Sequence, residues 1–430
     1  MDTLIQGISY WIEVLRMLTL SGVLSRLAMI LSLSSTLDAA RLKPSYFTRV
    51  RKMAFKNIVF FVLRGFNTST QTALNRFFEQ ISGQVEVMTQ QAMSKARSHF
   101  DHSPLELLFR DIVEQRYCGE HEINLWHGYQ ILAVDGSDIA LPKMPGLLEA
   151  FGGIGRNADS PAAKISLLYD MLNDFIVDAA IDRAGASERD FALGHMEKLR
   201  NICPNAEKLL IFDRGYPSAA LIQKLQAQGL HFLMRVKSKW NCDVDETTAA
   251  DSLIKLGETT IRVVKFQLSS GETETLITDL FELAVEEFPA LYFKRWPIET
   301  KYDVVKNKFA LENFTGYSEN VILQDFWAVM YLANLATVAK DEANAEAQKE
   351  RAGKNNKYTY VPNLNQVIAS LKDHLVKACF ADSEEERIRR VEIILTEIKK
   401  TVVPIRPNRS VKRPSNPRKA KYHHNRKISS

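Results

Sequence analysis

Residues Tyr129–Ser137 have the sequence Tyr-Gln-Ile-Leu-Ala-Val-Asp-Gly-Ser, and residues Lys208–Tyr216 have the sequence Lys-Leu-Leu-Ile-Phe-Asp-Arg-Gly-Tyr. Each stretch is a short apolar run, as in a buried strand, that ends in an aspartate followed by a turn containing glycine. The pattern predicts two strands that carry Asp135 and Asp213 at their carboxyl ends. If the strands are neighbours in a sheet, the two carboxylates converge. An aspartate after an apolar strand is also a common turn or cap residue, so neither position establishes a site by itself.

The chain around these stretches alternates between strand and helix patterns. Helices are predicted at 188–199, 218–228, about 289–308 and 323–339, and strands at 164–172, 175–182, 231–236, 261–268 and 274–280. The mixed stretch at about residues 239–272 interrupts this alternation and is interpreted as an insertion. Residues 126–340 are therefore predicted to form an α/β domain of ribonuclease-H-like type, flanked by helical N- and C-terminal regions.

The N-terminal region, residues 1–125, has apolar residues at helical spacings and few strand signals. Between Arg41 and Arg97 it contains ten basic residues against Glu79 and Glu86. Because Lys and Arg bind the phosphate backbone of nucleic acids, this pattern predicts a helical, basic DNA-binding region. Some of these side chains are candidates for backbone contacts, although each could equally lie on a solvated helix face: Arg49, Arg51, Lys52 and Lys56.

The C-terminal end holds a second concentration of positive charge. From Lys399 to Ser430 there are eleven Lys or Arg and no acidic residue, whereas the rest of the chain has 45 basic and 51 acidic residues. Residues 341–400 predict a helical region, with a polar connector at 343–354 and a capping box formed by Ser383 and Glu386. Residues 401–430 predict a basic, disordered tail. The charge distribution favours a polyanionic partner, although basic tails also increase solubility.

The apolar stretch Leu4–Leu33 raises the question of a membrane segment. Glu13, Arg16 and Arg26 interrupt it and no signal-peptide cleavage pattern follows, so it is predicted to form helices of a soluble domain. The four cysteines are far apart and lack metal-ligand spacing, as expected for reduced thiols in the cytoplasm.

A third acidic residue lies in a patterned segment further along the chain. Intervals of three, four, three and four residues separate Tyr292, Arg295, Glu299, Tyr302 and Lys306. On a helix these residues share one face, and a face with two aromatics, two cations and a carboxylate differs from an aliphatic core stripe. It suits contact with a phosphate chain, although an exposed ion pair between Arg295 and Glu299 is an alternative explanation. Pro297 predicts that the helix either begins near Lys294 or bends there.

The same segment carries a family signature. The pattern Tyr-x2-Arg-x3-Glu-x6-Lys, typical of transposases of the bacterial insertion-sequence-4 family, is matched by Tyr292, Arg295, Glu299 and Lys306. The stretches at Asp135 and Asp213 resemble that family's two upstream acidic motifs. The resemblance is strong from about residue 130 to residue 335 and general elsewhere. It implies a DDE transposase whose β-rich insertion lies in the 86-residue interval from the second aspartate, Asp213, to the glutamate, Glu299.

The resemblance also implies roles for single residues. Asp135, Asp213 and Glu299 would be the catalytic carboxylates and would bind two Mg²⁺ ions, for which Mn²⁺ can substitute, because hard cations prefer carboxylate oxygens. The DNA phosphates beside the cleavage site would be bound by Tyr292, Arg295 and Lys306.

The implied reaction is cut-and-paste transposition of an insertion sequence. In such a reaction the element's ends are nicked by metal-activated water and the freed 3′-hydroxyls are later joined to target DNA, often after a hairpin intermediate. The implied partners are double-stranded DNA, as terminal inverted repeats and target, and a second copy of the chain as a homodimer in the synaptic complex. The region after Leu323 is a candidate dimer surface. The expected location is the bacterial cytoplasm, in association with the nucleoid.

Two other functions remain compatible with the sequence. One is a catalytically silent, transposase-derived DNA-binding protein, and the other is a ribonuclease-H-like nuclease that hydrolyses DNA without joining it. Ser137 has no histidine and acid partners that would indicate nucleophilic catalysis, and His195 is expected to be packed or hydrogen-bonded. Trp240, within the insertion, could stack on a flipped base, although a packing role is favoured.

Overall fold

The computed structural model describes residues 18–49, 53–65, 69–82, 88–119, 121–200, 202, 206–268, 270–351 and 357–406. The chain forms two compact units, and each is discontinuous in sequence. The first comprises Met1–His121, Ala140–Gly146 and Val305–Ser430, and the second comprises Glu122–Ile139 and Leu147–Val304. Within the first unit, the helices after Val304 pack together with the N-terminal helices.

The second unit is built on a mixed sheet. Its strands, within the described residues, are β1 Tyr129–Ala140, β2 Gly153–Ile154, β3 Ser160–Asp170, β4 Phe175–Arg183, β5 Glu207–Phe212, β6 His231–Arg235, β7 Asp251–Leu256, β8 Thr259–Gln267 and β9 Thr273–Thr278. They are ordered β2-β3-β1-β5-β6-β9-β8-β7, with β4 also paired to β3. The fully buried centres of β1, β5 and β6 explain why these segments are continuous apolar runs instead of alternating ones.

Strands β1 and β5 are parallel neighbours, which places the two aspartates at the same level. The register pairs Tyr129 with Glu207 and continues to Ala133 with Ile211. Asp135 and Asp213 each lie two residues beyond that last pair. The parallel register thus brings the two aspartates to the same level, although Asp135 lies within β1, which continues to Ala140, and not at its carboxyl end as predicted.

Short helices accompany the strands of the second unit and its boundary. They are α7 Pro145–Phe151, α8 Glu188–Leu199, α9 Ala219–Ala227, α10 Cys242–Glu246, α11 Glu287–Phe293 and α12 Pro297–Asp303. Ser187 and Ser218 cap α8 and α9 by accepting hydrogen bonds from Asp190 and Leu221 amides. Pro297 is the first residue of α12, where its missing N–H costs nothing, so the predicted helix at 289–308 is divided in two.

The predicted insertion at 239–272 is β-rich and extends the main sheet. Strands β7 and β8 pair as an antiparallel hairpin, β8 pairs with β9, and β9 joins β6 in antiparallel register. Trp240, at the start of this segment, donates its indole N–H to the Pro217 carbonyl at 3.1 Å. That contact fits the favoured packing role for Trp240.

The first unit is helical. Its described α-helices are α1 Leu20–Ile30, α2 Ser34–Ala40, α3 Phe55–Arg64, α4 Thr70–Ser82, α5 Gln90–Arg97, α6 Ser103–Cys118, α13 Glu319–Arg351, α14 Leu364–Cys379 and α15 Glu384–Lys400. Its described strands are β10 Thr359–Pro362 and β11 Val402–Ile405. A π-helical turn spans Val304–Lys308, where the chain passes from the second unit to the first. Ser383 caps α15 by accepting from the Glu386 amide at 3.2 Å, which confirms half of the capping box.

Helix α13 is the core helix of this unit. Among the described residues it is long and apolar enough to span a membrane, but 78% of its apolar window is buried inside the protein, as expected of a core helix. Phe326, Met330, Tyr331 and Leu335 are almost fully buried, so the stretch after Leu323 does not present its apolar face as a dimer surface. The predicted connector at 343–354 is wrong up to Arg351, because α13 continues through it and buries Ala343 and Ala347.

Two further expectations for the first unit are changed by the structure. The predicted tail begins as a strand, because β11 pairs with β10 from Val402–Pro362 to Ile405–Thr359, and residues 407–430 lie outside the described residues. Of the basic candidates, Arg49 and Lys56 are exposed, whereas Arg51 and Lys52 lie outside the described residues.

One basic residue of the N-terminal region is structural. Arg97 is 3% exposed, binds Asp325 at 2.8 Å and donates to Gln324 at 2.6 Å. It is thus one basic residue of the region that does not face a nucleic acid.

Candidate active site

Asp135 and Asp213 have the same local geometry, although Asp135 lies within β1 and Asp213 directly follows the last residue of β5. In each, the side-chain Oδ1 accepts the backbone N–H of the following residue, from Gly136 at 3.0 Å and from Arg214 at 2.8 Å. This contact fixes one carboxylate oxygen and leaves the other available. Because the strands are parallel and in register, both aspartates face the same edge of the sheet.

The environment of Asp135 disfavours its charge. Burial, the largest cause, raises its pKa to about 6, against the opposing effects of the Arg295 guanidinium and the Gly136 N–H. The carboxylates of Glu188 and Asp213 raise it further. A carboxyl group with this pKa is stabilised in its ionised form by a cation placed beside it.

Arg295 is the charged centre around which the predicted carboxylates are arranged. Its residue surface is 9% exposed, and burial alone would lower its pKa. The pKa is instead raised, because Tyr292, Asp213, Asp135 and Glu299 all act on the guanidinium. Arg295 therefore lies within electrostatic reach of all three predicted catalytic carboxylates.

Tyr292 connects helix α11 to the second aspartate. Its hydroxyl donates to Asp213 Oδ1 at 3.3 Å, and burial together with the Asp213 charge raises its pKa to about 12. The phenol therefore stays protonated and acts as a hydrogen-bond donor at neutral pH.

Glu299 lies on α12 and is ion-paired with Arg295 at 3.0 Å. The pair joins the end of the turn after α11 to the first turn of α12, so it is not a pair within one regular helix. The prediction of a single helical face is wrong in this respect, since Pro297 starts a new helix. The alternative of an exposed ion-pair ladder is also inaccurate, because the Arg295 side chain is only 11% exposed.

Lys306 lies on the π-helical turn Val304–Lys308, in the first compact unit. A π-turn has more residues per turn than an α-helix, so the predicted α-helical spacing from Glu299 does not extend to this residue. The site in the second unit therefore brings together five of the six predicted residues, which are Asp135, Asp213, Tyr292, Arg295 and Glu299.

Two charged residues of this site were not predicted from the sequence. Glu188, in the first turn of α8, lies where side chains on Gly136 and Gly215 would otherwise be: its carboxyl oxygens come within 3.1 Å and 3.4 Å of the Cβ positions that those glycines lack. Arg235, at the end of β6, lies 4.0 Å from Asp213 and binds Glu274 at 2.5 Å. A cation at the carboxyl end of the next parallel strand is a signal that could have identified Arg235.

His195 is buried and hydrogen-bonded, as predicted. Its Nδ1 lies 2.6 Å from Asp178 and its Nε2 lies 3.0 Å from the Ser166 hydroxyl. His195 and Ser166 are at most 1% exposed, so this serine cannot reach a substrate.

The donor chemistry of the site fits a divalent cation. Asp135, Asp213 and Glu299 offer only carboxylate oxygens, which hard cations such as Mg²⁺ prefer, and the buried Asp135 has a raised pKa that a cation would relieve. Within the described residues no three acidic, histidine or cysteine side chains form a ready-made metal cage. In this arrangement Arg295 supplies the positive charge among the carboxylates.

Comparisons with known proteins agree with the fold. Residues 126–335 match the family model described as the transposase DDE domain. The chain is 25% identical over 181 residues to "Putative transposase InsZ" of Escherichia coli (strain K12), covering 41% of this chain and 56% of that protein. It is 22% identical over 225 residues to "Putative transposase y4zB" of Sinorhizobium fredii, covering 48% of this chain and 60% of that protein. The matches thus span less than two thirds of either relative.

A solved structure shows the same fold. The chain is similar to a chain of the cryo-EM structure of the piggyBac transposase synaptic complex with hairpin DNA, with a TM-score of 0.50 and 10% identity, covering 87% of this chain and 85% of that one. This likeness confirms the predicted ribonuclease-H-like α/β fold, with a central mixed sheet flanked by helices. The region of this chain that is similar to the transposase DDE domain, residues 126–335, contains Asp135, Asp213 and Glu299.

Proposed function

We propose that this protein is a DNA transposase that cuts and rejoins phosphodiester bonds with two divalent cations held by Asp135, Asp213 and Glu299. The observation that carries the proposal is the position of Arg295 among those three carboxylates: it is ion-paired with Glu299 at 3.0 Å, and its pKa is raised by Asp135 and Asp213, which lie at the same level of two adjacent parallel strands. The match of this region to the transposase DDE domain supports it.

The residues of the site divide into two groups by their chemistry. The carboxylates of Asp135, Asp213 and Glu299 would hold the cations, which when bound supply an activated water and neutralise charge on the attacking and leaving oxygens. Arg295 and the protonated phenol of Tyr292 offer donors to non-bridging phosphate oxygens. The ion pair between Arg295 and Glu299 is then the contact that cation and DNA binding must loosen.

Exposed aromatic side chains flank this group on the protein surface. Phe293 and Trp296 are 58% and 53% exposed, on either side of Arg295 in sequence. Large exposed aromatics next to a phosphate-binding cation suit stacking on bases that are unpaired at a cut end. These two residues are better placed for that role than Trp240, whose indole N–H is bonded to Pro217.

The finer proposal is a cut-and-paste transposase of the insertion-sequence-4 family, with Mg²⁺ as the cation. It rests on the spacing of Tyr292, Arg295, Glu299 and Lys306. Its substrates would be the terminal inverted repeats of an insertion sequence and target DNA, bound by a homodimer in the bacterial cytoplasm. The basic N-terminal region and the basic tail would contribute DNA backbone contacts.

The test uses the full chain and linear DNA that carries the terminal repeats flanking its gene. With Mg²⁺ we expect nicking at the repeat ends and joining of the 3′ ends to a target plasmid. Asp135→Asn and Asp213→Asn should each lose at least about 100-fold in cleavage rate, as for removal of a group on which the reaction depends. Asp182→Asn is the matched control, since Asp182 is exposed and accepts the N–H of Arg183 at 2.7 Å in the same local geometry.

The outcomes separate the proposal from its alternatives. Cleavage without any joined product would support a nuclease. DNA binding without cleavage, unchanged in Asp135→Asn, would support a silent DNA-binding protein. Equal loss of activity in Asp182→Asn would contradict the assignment of the carboxylates.

A further inference from the structure

The main-chain carbonyl of Asp135 accepts hydrogen bonds from two buried hydroxyl groups. The Tyr302 hydroxyl donates to it at 2.6 Å, and the Ser166 hydroxyl donates to it at 3.2 Å. Tyr302 is 7% exposed and Ser166 is fully buried. Asp135 lies beyond the last β1–β5 pair, so these side chains supply hydrogen bonds where that ladder has ended.

Tyr302 belongs to the helix that carries Glu299. The two residues are three apart on α12, so a single hydrogen bond joins the backbone at the first carboxylate to the helix of the third. The Tyr302 hydroxyl is the donor in this bond, because a main-chain carbonyl oxygen can only accept.

The same helix is attached to the sheet at a second point. Lys301 is 5% exposed, lies 2.8 Å from Asp174 in the turn between β3 and β4, and has its ammonium over the Tyr169 ring. Helix α12 is thus held by Lys301 at the hairpin and by Tyr302 at Asp135. Only the second contact reaches a residue of the site.

Ser166 is itself oriented by buried neighbours. His195 Nε2 lies 3.0 Å from its oxygen, and His195 Nδ1 lies 2.6 Å from Asp178, which also binds Lys198 at 2.9 Å. Strands β3 and β4 and helix α8 therefore hold the serine in one rotamer.

We propose that Tyr302 and Ser166 are positioning residues that fix the Asp135 carboxylate relative to Glu299 by holding the Asp135 main-chain carbonyl. The proposal rests on the proposed function, because it concerns the same carboxylates as cation ligands. Both residues act through the backbone of Asp135, where displacement of a reacting group by about 1 Å can cost about 100-fold in rate.

The test compares Tyr302→Phe, Ser166→Ala and a control, Tyr169→Phe, in the full chain. Tyr169 is also buried, and its hydroxyl donates to Asp174 at 2.6 Å, so the control loses a phenol hydrogen bond of equal length away from the carboxylates. Three quantities are measured for each: Mn²⁺ affinity by electron paramagnetic resonance, DNA affinity in Ca²⁺, and the cleavage rate in Mg²⁺.

We expect Tyr302→Phe to weaken Mn²⁺ binding by about 2- to 10-fold, as for loss of one net hydrogen bond. Its cleavage rate should fall by about 10- to 100-fold, with DNA affinity within twofold of the wild type. Ser166→Ala should change the same two quantities in the same direction by a smaller factor, because its bond is longer. Tyr169→Phe should leave both unchanged, although its thermal stability should fall about as far as that of Tyr302→Phe.

Equal Mn²⁺ affinity and equal rate in Tyr302→Phe and Tyr169→Phe would overturn the positioning role while leaving the proposed function intact. A wild-type protein that binds Mn²⁺ but cleaves no DNA, with weaker binding in Tyr302→Phe, would overturn the proposed function and support the positioning role. If Tyr302→Phe fails to fold, Ser166→Ala decides by the same measurements.

Discussion

Replacing Asp135 with asparagine is expected to stabilise the metal-free protein at neutral pH while abolishing DNA cleavage. Burial, the main cause, raises the pKa of this carboxyl group from 3.8 to about 6. A group whose pKa is higher in the folded state favours folding below its unfolded pKa, and that contribution is lost as the pH rises through the folded pKa. The window is therefore about pH 4 to 6, and above it the ionised Asp135 opposes folding.

The magnitude follows from the same pKa. The difference from 3.8 to about 6 corresponds to about 3 kcal/mol, at about 1.4 kcal/mol for each pKa unit. Because the residue is only partly shielded from water, solvent screening reduces this to about 1–2 kcal/mol. Asparagine keeps the shape of the side chain and an oxygen for the Gly136 N–H but carries no charge. The expected rise in melting temperature is about 2–4 °C per kcal/mol for a domain of this size.

Thermal unfolding of the wild type and of Asp135→Asn in EDTA, at pH 8 and at pH 5, measures this effect. The gain at pH 8 should shrink at pH 5, where most wild-type molecules carry the proton. Added Mg²⁺ should stabilise the wild type more than the variant, since ligand binding to the folded state adds to its stability. A loss of stability at pH 8, or a gain that is equal at both pH values, would refute the reasoning from a buried charge.

Three further predictions concern the surroundings of the site. Arg295→Ala should move the acid limb of the cleavage pH profile to higher pH, because after burial Arg295 is the first cause acting on the pKa of Asp135, and it lowers that pKa; an unmoved limb would contradict this. Glu188→Gln should move the same limb to lower pH, because the Glu188 carboxylate raises that pKa, and a shift in the opposite direction would show that Glu188 acts otherwise. Lys301→Met should lower the free energy of unfolding by about 1–2 kcal/mol through loss of the 2.8 Å ion pair with Asp174, and a denaturant titration showing no loss would assign the pair no net stability.

The two aspartate positions were predictable because their signal is local. A buried parallel strand contains a continuous apolar run, and the aspartate marks where that run ends, although β1 itself continues past Asp135 to Ala140. The spacing from Arg295 to Glu299 likewise indicated a contact, and the structure has it at 3.0 Å. These inferences needed only periodicity and residue type.

The remaining features depend on contacts between distant segments. Glu188 approaches the site because the sheet order brings the start of α8 next to two glycines, which no local pattern contains. The π-helical turn at Val304 and the pairing of β11 with β10 are likewise set by packing and not by propensity. Pro297 was recognised as an interruption, but only the structure distinguishes a bend from a new helix.

The shared register of β1 and β5 has a consequence for how this chain tolerates change in length. The distance between Asp135 and Asp213 is set by the pairing of β1 with β5, in which Ala133 lies opposite Ile211. It does not depend on the length of the chain that connects the two strands. Insertions or deletions in the intervening loops can therefore accumulate without separating the carboxylates. A single residue added within either strand would instead shift its aspartate by about 3.3 Å and turn it to the opposite face of the sheet. Homologous proteins should thus vary freely in the distance along the chain from the first aspartate to the second, while the five or six residues before each aspartate keep their length.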